Sequence, residues 1–273
     1  MNKFARLLIA LAMILPCSFH SFAQNAADLV KSGNAKYKAY DLDGAFADYN
    51  KAISLDSMFA EAMNARGIAY LASRNYGKAI VDFCKAIQLD GQYAEAYNNR
   101  GNAGASIQDN TLAIDDYTKA ISIKPDYTEA YNNRGWAYLN VNLYEQAITD
   151  FNKAIEINPK YTDAYNNRGW AYFNMNETDK AIADYTKTIA LDSTYSGAYN
   201  NRGWAYYTMK EYNKAIIDFS KAIVISPKYG KAYINRGNAY YNLKDTTNAC
   251  ADWKKALELG VTDVQGAIDA YCK

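Results

Sequence analysis

Residues 128–161 read TEAYNNRGWAYLNVNLYEQAITDFNKAIEINPKY, and this stretch decides the fold. Its apolar residues recur at three- and four-residue spacing in two runs. The runs are broken near Asn140–Asn142 and again at Pro159. That spacing puts apolar side chains on one face of each of two helices, so the stretch reads helix, turn, helix, turn. A proline at Pro159 cannot continue the second helix, and the chain must turn there.

Outward from this unit the pattern repeats. Arg66, Arg100, Arg134, Arg168, Arg202 and Arg236 are spaced by 34 residues, and each is followed by glycine. Gly33 extends the glycine series back by one period. Seven units follow without insertion or deletion: 26–59, 60–93, 94–127, 128–161, 162–195, 196–229 and 230–263. Each begins on a small residue, and Pro125, Pro159 and Pro227 all fall at unit position 32. One helix pair cannot bury its apolar face alone, so each unit needs neighbours. Residues 264–273 read as a capping helix over the last unit, within a terminal stretch that starts at Val261.

These residues resemble the tetratricopeptide repeat family, of an exported bacterial type. That family favours Gly or a small residue at position 8, Tyr at 11, Ala at 20, an aromatic at 24, Ala at 27 and often Pro at 32. Here Gly67 to Gly237 occupy position 8, and Tyr70, Tyr138, Tyr172, Tyr206 and Tyr240 position 11. Ala45 to Ala249 occupy position 20. Tyr49, Phe83, Tyr117, Phe151, Tyr185, Phe219 and Trp253 stand at 24. The resemblance covers nearly all of residues 24–273, read as a single solenoid domain. It implies an all-α, right-handed superhelical α-solenoid of antiparallel helix pairs, with the first helices lining a concave groove.

Two series depart from the family. Position 7, usually Leu, is Arg in six units, and position 23 is Asp in all seven. A buried Arg without a partner is costly, so the two series are expected to pair as a structural ladder. Counting favours pairing each Asp with the Arg of the next unit. The expected pairs are Asp48–Arg66, Asp82–Arg100, Asp116–Arg134, Asp150–Arg168, Asp184–Arg202 and Asp218–Arg236, leaving Asp252 over. In the third unit Gly104 stands where Tyr is expected, which reads as a soft point or as a gap that neighbours close. Cys250 and Cys272, 22 residues apart, are either a disulfide stapling the cap or two buried thiols. Cys84, next to core Phe83, reads as a lone thiol.

On a wheel of about 100° per residue, positions 4, 7, 8 and 11 of the first helix cluster toward the core. Positions 2, 5, 6, 9 and 12 face the other side, which the resemblance makes the groove. Position 9 carries Trp136, Trp170 and Trp204 in consecutive units. Positions 5 and 6 give paired amides, Asn98 and Asn99, Asn132 and Asn133, Asn166 and Asn167, Asn200 and Asn201. Position 12 adds Leu139, Phe173, Tyr207 and Tyr241. Exposed aromatic surface marks binding sites, and amides can hold an extended peptide backbone. The competing reading packs the tryptophans sideways and spends the amides between helices. Acids at position 2 (Glu61, Glu95, Glu129, Asp163) favour a ligand with some basic character.

Composition removes several classes of function. The chain has 273 residues, 50% hydrophobic and 22% charged, with 30 Lys+Arg against 29 Asp+Glu. That balance argues against a nucleic-acid partner, which needs a basic excess. Residues 1–23 read as a secretory signal peptide: Lys3 and Arg6, an apolar run from Leu7 to Pro16, and small residues at Ser21 and Ala23. The run is too short to cross a bilayer. Cys17 offers lipid anchoring as the second reading, although Pro16 fits a lipobox poorly.

Cleavage after Ala23 removes His20, the chain's one histidine. Ser-His and Cys-His catalysis and His-ligated metals go with it. The three remaining cysteines show no CxxC spacing, so no structural zinc site, and no cofactor at all, is implied. The expected function is a non-catalytic scaffold that binds an extended peptide segment, exported to the periplasm or beyond. The runner-up is a glycan or cell-wall-fragment binder using the Trp and Asn ladder. Self-association is left open.

Overall fold

The computed structural model of the protein describes residues 25–272. The expected leader, its cleavage site and Cys17 lie outside the described residues. Helices follow one another in pairs. They are α1 (25–38) and α2 (Leu42–Leu55), α3 (Ala60–Ala72) and α4 (Tyr76–Leu89), and α5 (Ala94–Ser106) and α6 (Asn110–Ile123). Next come α7 (Thr128–Asn140) and α8 (Tyr144–Ile157), α9 (Thr162–Asn174) and α10 (Thr178–Leu191), α11 (Ser196–Thr208) and α12 (Tyr212–Ile225), and α13 (Gly230–Asn242) and α14 (Thr246–Glu258). A 3-10 turn (Thr262–Val264) and α15 (Gln265–Tyr271) close the chain. No strand occurs among the described residues.

The chain forms two compact units, divided after Ala137 within α7. Each is an α-solenoid. In the first, α3 packs on α2 and on α4, and α5 on α4 and on α6. In the second, α9 packs on α8 and α10, α11 on α10 and α12, and α13 on α12 and α14. We call the first helix of each repeat A and the second B.

Local sequence explains the punctuation. The turn between A and B puts position 15 in the left-handed region: Tyr40, Arg74, Gln108, Asn142, Asn176, Lys210 and Lys244 all have φ between 58° and 66°. Asp41, Asn75, Asp109 and Asp245 then cap the B helices, each accepting from the backbone N–H three residues on. Leu143 occupies the same position in repeat 4 with the same backbone (φ −89°, ψ 70°), makes no side-chain cap and is 40% exposed. Leu143→Asp is therefore expected to raise stability by about 1 kcal/mol. A thermal melt checks it, and an unchanged or lowered Tm would show that leucine's contacts outweigh the missing cap. B helices end in turns in which Asp56, Asp90, Asn158 and Asp192 accept from the N–H two residues on.

The core is made of small residues and one large ring per repeat. The rings at position 24, from Tyr49 to Trp253, are at most 2% exposed. In repeats 1, 2, 3, 5, 6 and 7 the ring lies on the glycine at position 8 of its own A helix. A Cβ added to Gly67 would sit 2.6 Å from Phe83 Cε1, and one on Gly203 would sit 2.8 Å from Phe219 Cε1. Alanines at position 20 in all seven repeats, and at positions 3 and 10 in repeats 2 to 7, are fully buried around them. Position 8 is small because the ring needs the space a Cβ would take.

This contact sets the hairpin register and corrects the expected ladder. Seating the position-24 ring on the position-8 glycine brings position 23 beside position 7 of the same repeat. Arg66 holds Asp82 by two parallel bonds, Nε to Oδ2 at 2.8 Å and Nη2 to Oδ1 at 2.7 Å. Arg100 holds Asp116, Arg168 holds Asp184, Arg202 holds Asp218 and Arg236 holds Asp252 in the same way. None of the six inter-repeat pairs, Asp48–Arg66 to Asp218–Arg236, is formed, since each has a member held within its own repeat. Counting could not separate the registers, because six arginines leave one of seven aspartates over either way. The one left is Asp48, which takes Ser32 Oγ at 2.6 Å and Lys36 Nζ at 2.7 Å.

The arginines still join neighbouring repeats, through a different residue. Nη1 donates to position 25 of the preceding repeat: Arg66 to Asn50, Arg100 to Cys84, Arg134 to Thr118, Arg168 to Asn152, Arg202 to Thr186 and Arg236 to Ser220. Hydrogen bonds donated to the aspartates hold the Arg66, Arg202 and Arg236 guanidinium groups above their ordinary range. Burial pushes the Asp116 carboxyl up, against the pull of Arg100.

Gly104 does not interrupt α5. Leu112 closes the space, with Cδ2 3.2 Å from where a Cβ would stand. In repeats 2, 5 and 6 the same two positions are Tyr and Lys, and the lysine ammonium lies over the ring at 5.4, 5.2 and 5.3 Å. Gly104 and Leu112 replace that cation–π pair by an apolar contact.

Candidate functional site

Positions 2, 5, 6, 9 and 12 of the A helices carry the side chains of the face expected to meet a ligand. The paired amides on this face are bonded between helices. Asn99 Nδ2 donates to Asn64 Oδ1 at 3.0 Å, Asn133 to Asn98 at 3.2 Å, Asn201 to Asn166 at 3.1 Å and Asn235 to Asn200 at 2.9 Å. Each bond runs from position 6 of one repeat to position 5 of the repeat before. Asn98, Asn132 and Asn200 are buried, so they are withdrawn from direct contact with a ligand. Asn99, Asn133, Asn166, Asn167 and Asn201 are half-buried. Adjacent A helices are so close here that an amide reaches its neighbour before it reaches solvent. Asn64 and Asn235 belong to the same ladder, and the 35-residue spacing was there to find them.

Position 9 has two uses. Where the ring at 24 carries a polar hydrogen, position 9 is asparagine and accepts it. Tyr49 Oη donates to Asn34 at 2.8 Å, Tyr117 Oη to Asn102 at 2.7 Å and Trp253 Nε1 to Asn238 at 3.0 Å. In repeats 4 and 6 position 24 is Phe151 and Phe219, with no polar hydrogen to donate, and position 9 is Trp136 and Trp204. In repeat 2, with Phe83 at 24, position 9 is Ile68. Repeat 5 departs from the rule, with Trp170 at 9 and Tyr185 at 24. Reading positions 9 and 24 together would have revealed this pairing in the sequence.

The tryptophans remain open to different degrees. Trp136, in the first unit, is 44% exposed. In the second unit Trp170 is 37% exposed and stacks on Phe173, one turn on, with centroids 6.0 Å apart and planes 21° apart. Trp204 stacks on Tyr207 at 5.1 Å and 14°, and is half-buried beside Tyr206 and Tyr212. Tyr207 is fixed in turn, its hydroxyl accepting from Asn242 Nδ2 at 3.0 Å. Each pair makes a flat aromatic shelf. Offset stacking of this kind holds both rings rigid, so little freedom is lost when something settles on them.

The acidic edge is partly engaged. Glu95 lies 3.6 Å from Lys124, and Asp163 accepts from Tyr195 Oη at 3.0 Å. Burial, then Asp163, pushes the Tyr195 hydroxyl up. Burial, with Glu61 and Glu95, raises Tyr93 to about 12. Glu61 shares a cavity of about 470 Å³ on the A-helix face of repeat 1 with Val30, Lys31, Asn34 and Lys38. Among the described residues no group of three His, Cys, Asp or Glu side chains could hold a metal ion, and no helix is long and apolar enough to cross a membrane.

The chain resembles known proteins in fold and in sequence pattern. Profiles described as tetratricopeptide repeat match residues 30–94, 128–161, 162–195, 196–229 and 230–260, and one described as TPR repeat matches 105–142. Among curated protein sequences none matches. Among solved structures, a tetratricopeptide repeat protein from Parabacteroides merdae is 20% identical, with a TM-score of 0.71 over 88% of this chain and 95% of that one. MamA is 31% identical, with a TM-score of 0.53 over 59% of this chain and 94% of its own. YrrB, described as a TPR protein with an unusual peptide-binding site, is 23% identical, with a TM-score of 0.54 over 67% of this chain and 95% of its own. Helix hairpins repeating every 34 residues, six of them closed by a ring on a glycine, together with profile matches along most of the sequence, place this chain in the tetratricopeptide repeat family.

Proposed function

We propose that the protein is a non-catalytic interaction module that holds an extended segment of another protein on its A-helix face. Tetratricopeptide repeats generally mediate protein–protein interactions, and YrrB carries a peptide-binding site on a related fold. The observation that carries the proposal is the set of indoles at position 9. The fold buries its rings at position 24, yet Trp136 and Trp170 keep more than a third of their surface in water. Solvated tryptophan that the core does not use is the side chain most enriched at binding hot spots. Half-buried amides beside the shelves (Asn166, Asn167, Asn201) can still meet a backbone at their edges. Acids at position 2 favour a segment with basic residues. The leader read in residues 1–23 supports a place in the bacterial envelope, periplasmic or beyond.

Titration of extended peptides, followed by tryptophan fluorescence, tests this reading. Trp136→Ala/Trp170→Ala/Trp204→Ala is expected to weaken peptide binding about 100-fold, as the loss of hot-spot aromatics does. Pull-downs from envelope extract with wild type and the triple variant provide the second readout. Capture of the same proteins by both would remove the A-helix face from the proposal. Binding of oligosaccharide with no response to peptide would transfer the shelves to sugar recognition.

A further inference from the structure

Cys250 and Cys272 are joined by a disulfide, with Cα atoms 5.5 Å apart. The bridge ties α14 to the residue that follows α15. Both cysteines are half-buried and line an open cavity of about 490 Å³, with Thr246, Thr247, Lys254 and Tyr271 around them. The helix they hold rests on the core through partly buried side chains, Ala267 and Ile268, with the Tyr271 ring centroid 6.4 Å from that of Trp253. None of the residues of α15 is buried, and the buried anchor, Val264, precedes it. Tyr271 rests on Tyr241 with centroids 4.7 Å apart, yet stays 49% exposed. Seven residues are too few to hold a helix in water without support. The bond therefore reinforces a helix held otherwise by the partial burial of Ala267 and Ile268, while the fully buried part of the repeat 7 core is Trp253, Ala249 and Ala256.

We propose that Cys250–Cys272 is a thiol–disulfide exchange site whose substrate is a dithiol, and that opening it releases α15 from repeat 7. The attacking thiolate enters through the cavity and forms a mixed disulfide with one cysteine, and the other cysteine leaves as a thiolate. The second thiol of the dithiol then attacks the mixed disulfide and frees the remaining cysteine. Two electrons and two protons pass from the dithiol, which becomes a disulfide, to Cys250 and Cys272. Lys254 lines the same cavity, and its positive charge there favours the thiolate forms that attack and leave.

The test uses the full chain and dithiothreitol in buffer without denaturant. Alkylation is mapped by mass spectrometry to the Cys250 and Cys272 peptides, which keeps exposed Cys84 out of the readout. Hydrogen exchange is followed over 262–271. The bridge is expected to open at least about tenfold faster than the chain unfolds in the same buffer, because thiolate attack on an accessible bridge does not wait for unfolding. Protection over 265–271 should fall about tenfold while α12 to α14 keep theirs. Lys254→Glu is expected to slow opening about threefold at low salt. A bridge that opens only when denaturant unfolds the chain, or one that opens and leaves α15 protected as before, would overturn the proposal. Equal rates for Lys254→Glu and wild type would overturn the part given to the lysine.

Discussion

Asp218→Ala is expected to lower the free energy of unfolding by about 3 kcal/mol. Asp218 is 4% exposed and accepts two bonds from Arg202, at 2.8 Å each. Removing the carboxylate leaves a guanidinium with about a fifth of its surface in water and no anion to offset its desolvation. The Arg202 Nη1 bond to Thr186 joins repeats 5 and 6, so the same change loosens a junction as well as a hairpin. Stability in a stacked repeat array is close to a sum of repeat and junction terms, so a local loss should register in the whole transition. Removing both charges with a volume-matched pair, Arg202→Met with Asp218→Leu, should cost less than Asp218→Ala alone, because no charge is then stranded. Asp48→Ala provides the control. Its partners Ser32 and Lys36 are more open to solvent, and the expected loss is under about 1 kcal/mol. Urea unfolding checks all of these. Equal losses for Asp48→Ala and Asp218→Ala would show that burial of the pair is not what matters.

Phe83→Ala should cost about 3 to 5 kcal/mol, the range for deleting a fully buried ring. Phe83 has no exposed surface and fills the space between Gly67, Ala79 and Ala103. The informative result is its coupling to Gly67. Gly67→Ala alone places a methyl 2.6 to 3.0 Å from the Phe83 ring, and the clash should cost about 1 to 3 kcal/mol. In the Phe83→Ala background that methyl enters an empty space, and the helix gains from alanine over glycine. Gly67→Ala should then be neutral or stabilising. A double-mutant cycle by denaturant unfolding measures the sign change. If Gly67→Ala cost as much with the ring gone, the glycine would be serving backbone freedom and not ring packing.

The repeat length, the helix ends and the core rings were all legible in the sequence, because periodicity records the face each residue turns to its own hairpin. Amide partners were harder to read. The sequence shows rows of asparagines without saying whether they meet a ligand or each other. That depends on how closely two A helices approach, which the sequence does not state.

Residue pattern by itself determined that this chain is a run of helix hairpins, which rings fill its core, and that arginine and aspartate must pair somewhere. Only the tertiary structure decided where. Pairing within a repeat and pairing across a junction satisfy the same count of charges. The choice fell to the seat of each position-24 ring on its glycine, which fixes how two helices lie side by side. The same is true of Cys250 and Cys272: the distance between two Cα atoms is a property of packing, and no spacing along the chain contains it.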